Sequence, residues 1–128
     1  MQLTVVVENQ TSSQSLLAEW GYSAWLQTED TVILLDTGGI QHTLQHNLTA
    51  LGLNARRITD LVLSHGHFDH TSGVMDVLRL APHACGQLPA SDASALETQT
   101  PNELPAAVRC SQDLPFRRSI RSLKSLQA

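Results

Sequence analysis

The chain has 128 residues, 41% of them hydrophobic but only 4% aromatic, so it holds one modest domain with a core of Leu, Val, Ile and Ala. A formal net charge of −4 gives no general attraction to nucleic acid, and no apolar stretch reaches the roughly 20 residues that a membrane-spanning helix needs. Met1-Gln2-Leu3-Thr4-Val5 lacks the basic start of an export signal, and Cys85 and Cys110 suit neither a disulfide framework nor a zinc knuckle, so a reduced cytoplasmic setting is expected.

Leu3-Thr4-Val5-Val6-Val7 is a β-branched run and predicts a strand. After a polar stretch rich in Ser and Gln, Tyr22 to Thr28 predicts a second. Glu29-Asp30 is a turn, and Thr31-Val32-Ile33-Leu34-Leu35-Asp36 a third strand, so these two form a hairpin. Thr37-Gly38-Gly39 then breaks the strand. Ile40, Leu44, Leu48 and Leu51 fall on one face of a helix that Gly52 stops. Arg56-Arg57 lies in a connecting turn, and Asp60-Leu61-Val62-Leu63 is a short buried strand. Thr71 or Ser72 caps a further helix with Val74, Met75, Val77, Leu78 and Ala81 on its apolar face, ended by Pro82.

Residues 84–115 read as irregular, since Ala, Pro, Ser, Thr and Gln dominate and four prolines interrupt any period. The charge divides at the same place: residues 1–83 carry −5 and 84–113 carry −3, whereas 114–128 carry +4. In 116–128, Phe116, Ile120 and Leu123 oppose Arg117, Arg118, Arg121 and Lys124, which predicts a short basic amphipathic helix. It could serve as a membrane-surface or partner-binding helix, and its simpler reading is a helix whose packing partners are missing.

Between the strand at 60–63 and the helix after it, the chain places His65, His67, Asp69 and His70 within six residues. Histidines two apart at a strand end point to the same side, and a turn after Phe68 brings Asp69 and His70 to a neighbouring point. Imidazole and carboxylate suit zinc, iron and manganese, so the cluster can hold two metals close together. Two such ions lower the pKa of a shared water and clamp the oxygens of a phosphate or ester. An incidental loop with half-exposed histidines is the bland alternative, and the density of ligands in so short a window argues against it. His42 and His46, four apart on the predicted helix, have no third group and are read as a solvated face. Trp20 and Trp25 are read as core or cleft-wall residues.

His65-x-His67-x-Asp69-His70 resembles the signature of the metallo-β-lactamase superfamily, and Leu34-Leu35-Asp36-Thr37-Gly38 resembles its strand-end Asp-Thr-Gly element. The run from Val7-Glu8-Asn9 through Gly21-Tyr22-Ser23 to Leu63-Ser64-His65-Gly66-His67-Phe68-Asp69-His70-Thr71-Ser72-Gly73 is similar to the branch of dihydropterin ribofuranosyl-aminobenzene phosphate synthases. The resemblance implies an α/β chain, the N-terminal half of a four-layer αββα sandwich over residues 1–83, with an irregular tail. It also implies that His65 and His67 ligate a first metal and Asp69 and His70 a second. Asp69 would in addition orient the attacking water, and Asp36 would steady the ligand loop from behind. The cofactors implied are two divalent ions, zinc foremost with iron or manganese as substitutes, and the activity is hydrolysis of a small-molecule phosphate or ester.

The family pattern adds a third histidine, a bridging Asp and a last histidine, whereas His83, the only later histidine here, comes too soon. A truncated, impaired hydrolase is therefore expected. The break near Ala84 is read as an out-of-frame stretch, with a natural Pro/Ala-rich insertion as the alternative. The rival function is a non-catalytic half-domain that binds metal weakly or not at all and persists as an oligomer. A homodimer would restore four layers by pairing two copies.

Overall fold

The computed structural model describes residues 1–88 and 108–110. A six-stranded sheet runs in chain order: β1 (Gln2–Val7), β2 (Ser23–Gln27), β3 (Val32–Leu35), β4 (Asp60–Val62), β5 (Cys85–Leu88) and β6 (Val108–Cys110). The first three strands are antiparallel to one another, and β3 to β6 are parallel. Parallel neighbours need crossovers, and the chain supplies α1 (Gln41–Ala50) between β3 and β4, then α2 (Phe68–Thr71) and α3 (Val74–Leu80) between β4 and β5. This is an α/β architecture, as the sequence predicts.

Strand alternation places Trp25, Leu34 and Leu61 opposite one another across β2, β3 and β4. All three are buried, and they join Leu44 and Leu48 of α1 with Val74, Val77 and Leu78 of α3 in one core cluster. Full burial stabilises each such side chain by about 1.5–3 kcal/mol. Trp25 is thus a core residue, while Trp20 stands 74% exposed. The alternate residues Leu3 and Val5 of β1 point away from the core and are exposed.

A bulge between Val5 and Val7 turns two successive valines, Val6 and Val7, into the core. The Val6 carbonyl accepts a hydrogen bond from the buried Asn47 amide of α1 at 2.7 Å. Asn47 also clamps Leu17, donating to its carbonyl at 2.9 Å and accepting from its N–H at 2.8 Å. The polar connection between β1 and β2 is thereby fastened to α1.

One expectation for α1 needs amendment. Ile40 does not join its apolar face: it is the N-cap residue and is 56% exposed. Capping comes from elsewhere, since the buried Glu19 carboxylate accepts from Gly39 N–H at 2.7 Å and Ile40 N–H at 3.0 Å. An acid there also complements the positive end of the helix. Gly52 ends α1 as predicted, at φ +69°, in the left-handed region that glycine enters freely. A Cβ at Gly52 would meet nothing within 4 Å, so only the backbone penalty applies. Gly52→Ala should cost about 1 kcal/mol, read as a lower urea midpoint with an unchanged m-value.

The helix predicted after Thr71 or Ser72 is α3, but neither residue caps it, and the short helix α2 precedes it. The Thr71 and Ser72 hydroxyls donate back to the carbonyls of His67 (3.0 Å) and Phe68 (2.6 Å), so neither caps α3, which starts after Gly73. Ala81 leaves the helical region at φ −128°, ψ 70°, as a residue before proline must.

The sheet also continues past residue 83, correcting the reading of 84–115 as irregular throughout. Cys85 N–H donates to Thr59 carbonyl at 2.9 Å, and β5 and β6 extend the parallel ladder. The pairing comes from the unsatisfied edge of β4, a non-local demand that local composition does not encode. The helix expected over 116–128 lies outside the described residues. Among the described residues no helix is long and apolar enough to cross a membrane.

Candidate metal centre

The His/Asp cluster sits beyond the carboxyl ends of the parallel strands β3 and β4, where ligand sites of open α/β sheets form. β3 stops at Leu35, and Asp36 turns to φ +55° while its N–H still donates to Val62 carbonyl at 2.8 Å. This kink drops a 2% exposed carboxylate beneath the loop that follows β4. Three donors meet it there. Ser64 N–H reaches Oδ1 at 2.7 Å, Ser64 Oγ–H reaches Oδ2 at 2.6 Å, and His70 Nδ1 lies 2.8 Å from Oδ2. Asp36 thus holds the loop from Ser64 to His70 through three hydrogen bonds.

A carboxylate only accepts, so His70 Nδ1 carries a proton, and in the neutral form of the ring the lone pair lies on Nε2. Nε2 lies 3.6 Å from Asp69 Oδ2, with both side chains about one-fifth exposed. The His65 ring is 4.1 Å from the His70 ring, centroid to centroid. One ligand atom from each of His65, Asp69 and His70 lies within 4.8 Å of the others. Of the four predicted ligands these three converge. His67 stands apart as an exposed residue with its ring edge-on to His65, centroids 4.7 Å apart at 77°. The two histidines thus share a side, as their spacing predicts.

Backbone contacts lock the loop in place. Thr37 N–H and Oγ1–H both donate to His70 carbonyl, at 2.7 and 3.0 Å, and Thr37 Oγ1 accepts from Gly73 N–H at 3.0 Å. Asp69 carbonyl is approached by Tyr22 N–H at 3.4 Å, and a Cβ on Gly21 would come within 2.7 Å of it. Sequence reasoning did not single out Ser64, Thr37 or Glu19. Ser64 and Thr37 are short hydroxyl residues directly beside quoted motifs, which was the available signal; Glu19 carried none.

The protein-family model described as "Metallo-beta-lactamase superfamily" matches residues 19–84, just over half of the chain. The chain belongs to the metallo-beta-lactamase superfamily. Among curated relatives it is 35% identical over 83 residues to the lactamase-like protein ptaB of Pestalotiopsis fici, covering 56% of this chain and 26% of that protein. It is 36% identical over 47 residues to the 7,8-dihydropterin-6-methyl-4-(beta-D-ribofuranosyl)-aminobenzene-5'-phosphate synthase of Methanocaldococcus jannaschii, covering 37% of this chain and 16% of that one. The crystal structure of the metallo-beta-lactamase SMB-1 superposes with a TM-score of 0.61 at 20% identity, over 88% of this chain and 47% of that chain. That likeness carries the fold. The chain therefore spans about a quarter of the length of ptaB and less than half of SMB-1, and what it shares with the superfamily is part of the domain, with the ligand loop included.

The donor set of this metallo-beta-lactamase-superfamily loop fits a divalent cation. Two imidazoles and a carboxylate, gathered within 4.8 Å, match the preferences of zinc, iron and manganese. The buried Asp36 behind His70 is the carboxylate–histidine arrangement that orients metal-bound imidazoles.

Proposed function

We propose that the chain is a divalent-metal-dependent hydrolase acting on a small-molecule phosphate or ester, with two metal positions and zinc as the best-suited ion. The observation that carries this reading is the convergence of His65, Asp69 and His70 with Asp36 hydrogen-bonded behind His70. The phosphate half draws on the relative whose name is a 5'-phosphate synthase. The cytoplasm remains the proposed setting, on the number and spacing of Cys85 and Cys110 alone.

A bound divalent ion would act as a Lewis acid that polarises the substrate oxygen and acidifies a water. The chain's own residues supply the rest. His70 presents Nε2 because Asp36 holds its Nδ1 proton. The Asp69 carboxylate, 3.6 Å from that nitrogen, offers one oxygen as a ligand and leaves the other to accept a proton from water. The first ion would settle among His65, Asp69 and His70, since three ligands hold it better than two. For two ions, the superfamily resemblance implies that His65 and His67 would hold one and Asp69 and His70 the other. The non-catalytic alternative is disfavoured, because a relic has no reason to keep a buried carboxylate satisfied by three donors from the ligand loop.

Zinc titration of the metal-stripped protein, followed by calorimetry, should show a tight and a weak phase. Asp69→Ala and His70→Ala should lose the tight phase, and His67→Ala only the weak one. Hydrolysis of bis(p-nitrophenyl) phosphate or p-nitrophenyl acetate should rise with added zinc and vanish in Asp69→Ala. A wild-type chain that binds no divalent metal, or that hydrolyses no faster than Asp69→Ala, would overturn the proposal.

A further inference from the structure

Ser64 is absent from every ligand assignment above, yet its hydroxyl occupies the joint between the two halves of the cluster. It lies 2.6 Å from Asp36 Oδ2 and 2.8 Å from His65 Nδ1. A hydroxyl has one proton and two lone pairs. The carboxylate can only accept, so the Ser64 proton points to Asp36. The oxygen is then left to accept, and His65 Nδ1 must be the donor. We infer that Ser64 is a positioning residue that relays the hold of Asp36 to His65, fixing the His65 proton on Nδ1 and leaving Nε2 as its ligand nitrogen.

A single buried carboxylate would then set the tautomers of both histidines, His70 directly and His65 through one hydroxyl. Two features favour this over a passive surface serine. The Ser64 backbone N–H is itself anchored on Asp36 Oδ1 at 2.7 Å, so the hydroxyl is aimed and not free to rotate with the loop. Both oxygens of Asp36 are engaged, and Oδ2 serves the serine and His70 together. Without the relay the neutral His65 ring would be free to carry its proton on either nitrogen, and the form with Nε2 protonated offers no lone pair there.

The inference rests on the metal reading for its purpose but not for its test. The test is nitrogen-15 NMR of the histidine rings in the metal-free protein at a pH where they are neutral. Wild type should show both His65 and His70 protonated on Nδ1. Ser64→Ala should move His65 to a mixture or to the Nε2-protonated form while His70 stays as it was, because its own bond to Asp36 persists. Ser64→Thr, which restores a hydroxyl at the same atom, should return His65 to Nδ1. In zinc titrations Ser64→Ala should weaken the tight phase about tenfold, the low end of the 10–100-fold range for lost outer partners, and Ser64→Thr should not. Unchanged His65 nitrogen shifts in Ser64→Ala would overturn the relay, as would equal movement of His65 and His70. A His65 shift in a protein that binds no zinc would uphold the relay and defeat the metal reading alone. If Ser64→Ala does not fold, Ser64→Cys keeps the side-chain size with a weak donor and should give the same His65 shift.

Discussion

Asp36→Ala is expected to destabilise the fold by about 3–5 kcal/mol and to abolish the tight zinc phase. Two effects combine. Ser64 N–H, Ser64 Oγ–H and His70 Nδ1–H all lose an acceptor that is 2% exposed, and a donor that stays buried and unpaired costs about 1–3 kcal/mol, less for the exposed Ser64. Water admitted to the space recovers part of that sum. The backbone adds its own penalty, because position 36 sits at φ +55°, a region that Asp tolerates better than Ala by roughly 1 kcal/mol. Asp36→Asn separates the terms: it keeps the backbone tolerance and one acceptor oxygen but points an amide N–H₂ at a donor. It should fold with a smaller loss and still bind zinc at least tenfold more weakly. Urea unfolding and zinc titration on the same preparations would read both. An Asp36→Ala protein that matched wild type in either would remove the carboxylate from its place beneath the site.

Gly21→Ala is expected to have the second largest effect, although residue 21 is far from the ligands in sequence. A Cβ there would stand 2.7 Å from Asp69 carbonyl and 2.9 Å from Gly39 nitrogen, both backbone atoms with no rotamer to yield. Either the strap before β2 lifts away or the Asp69 loop shifts. The stability loss should be about 1–3 kcal/mol, typical of overpacking. Moving Asp69 by a fraction of an ångström to an ångström should reduce hydrolysis on the order of 100-fold. Gly52→Ala is the matched control, since its Cβ meets open space. Equal hydrolysis in the two variants would show that the strap before β2 does not position Asp69.

Much of this was legible in the chain. The β-branched runs and the glycine stop gave β1, β3 and the end of α1 to within a residue or two, because those signals are local. The cluster from His65 to His70 stood out through its density of groups that metals accept. What escaped depends on contacts made at a distance. Glu19 caps α1 from 20 residues earlier, and nothing around it in sequence distinguishes it from a solvated acid. β5 reads as a loop because Gly86 and Pro89 flank weak formers, and only the open edge of β4 makes it a strand. Ile40 fitted the helical period yet faces outward, since the periodic pattern cannot tell a first-turn residue from the one that precedes the helix. The convergence of His65 with Asp69 and His70, leaving His67 aside, follows from the turn at α2, and the motif alone does not state which members meet.

The partners of Asp36 have a thermodynamic consequence. Ser64 and His70 lie 28 and 34 residues further along the chain, so the carboxylate reaches them only once β3 and β4 have paired in parallel across the intervening helix. Such long-range closure is among the slower steps a small domain takes. The unfolded chain carries the same histidines but not the arrangement that gathers them, so an ion held as proposed would bind it less well than the folded one. Ligand and fold would then be linked: each tenfold excess of zinc over its dissociation constant would add about 1.4 kcal/mol to the stability of the native state. A chain with such a site would become harder to unfold as its metal supply rises, and the parallel strand pair would be the element through which that supply is felt.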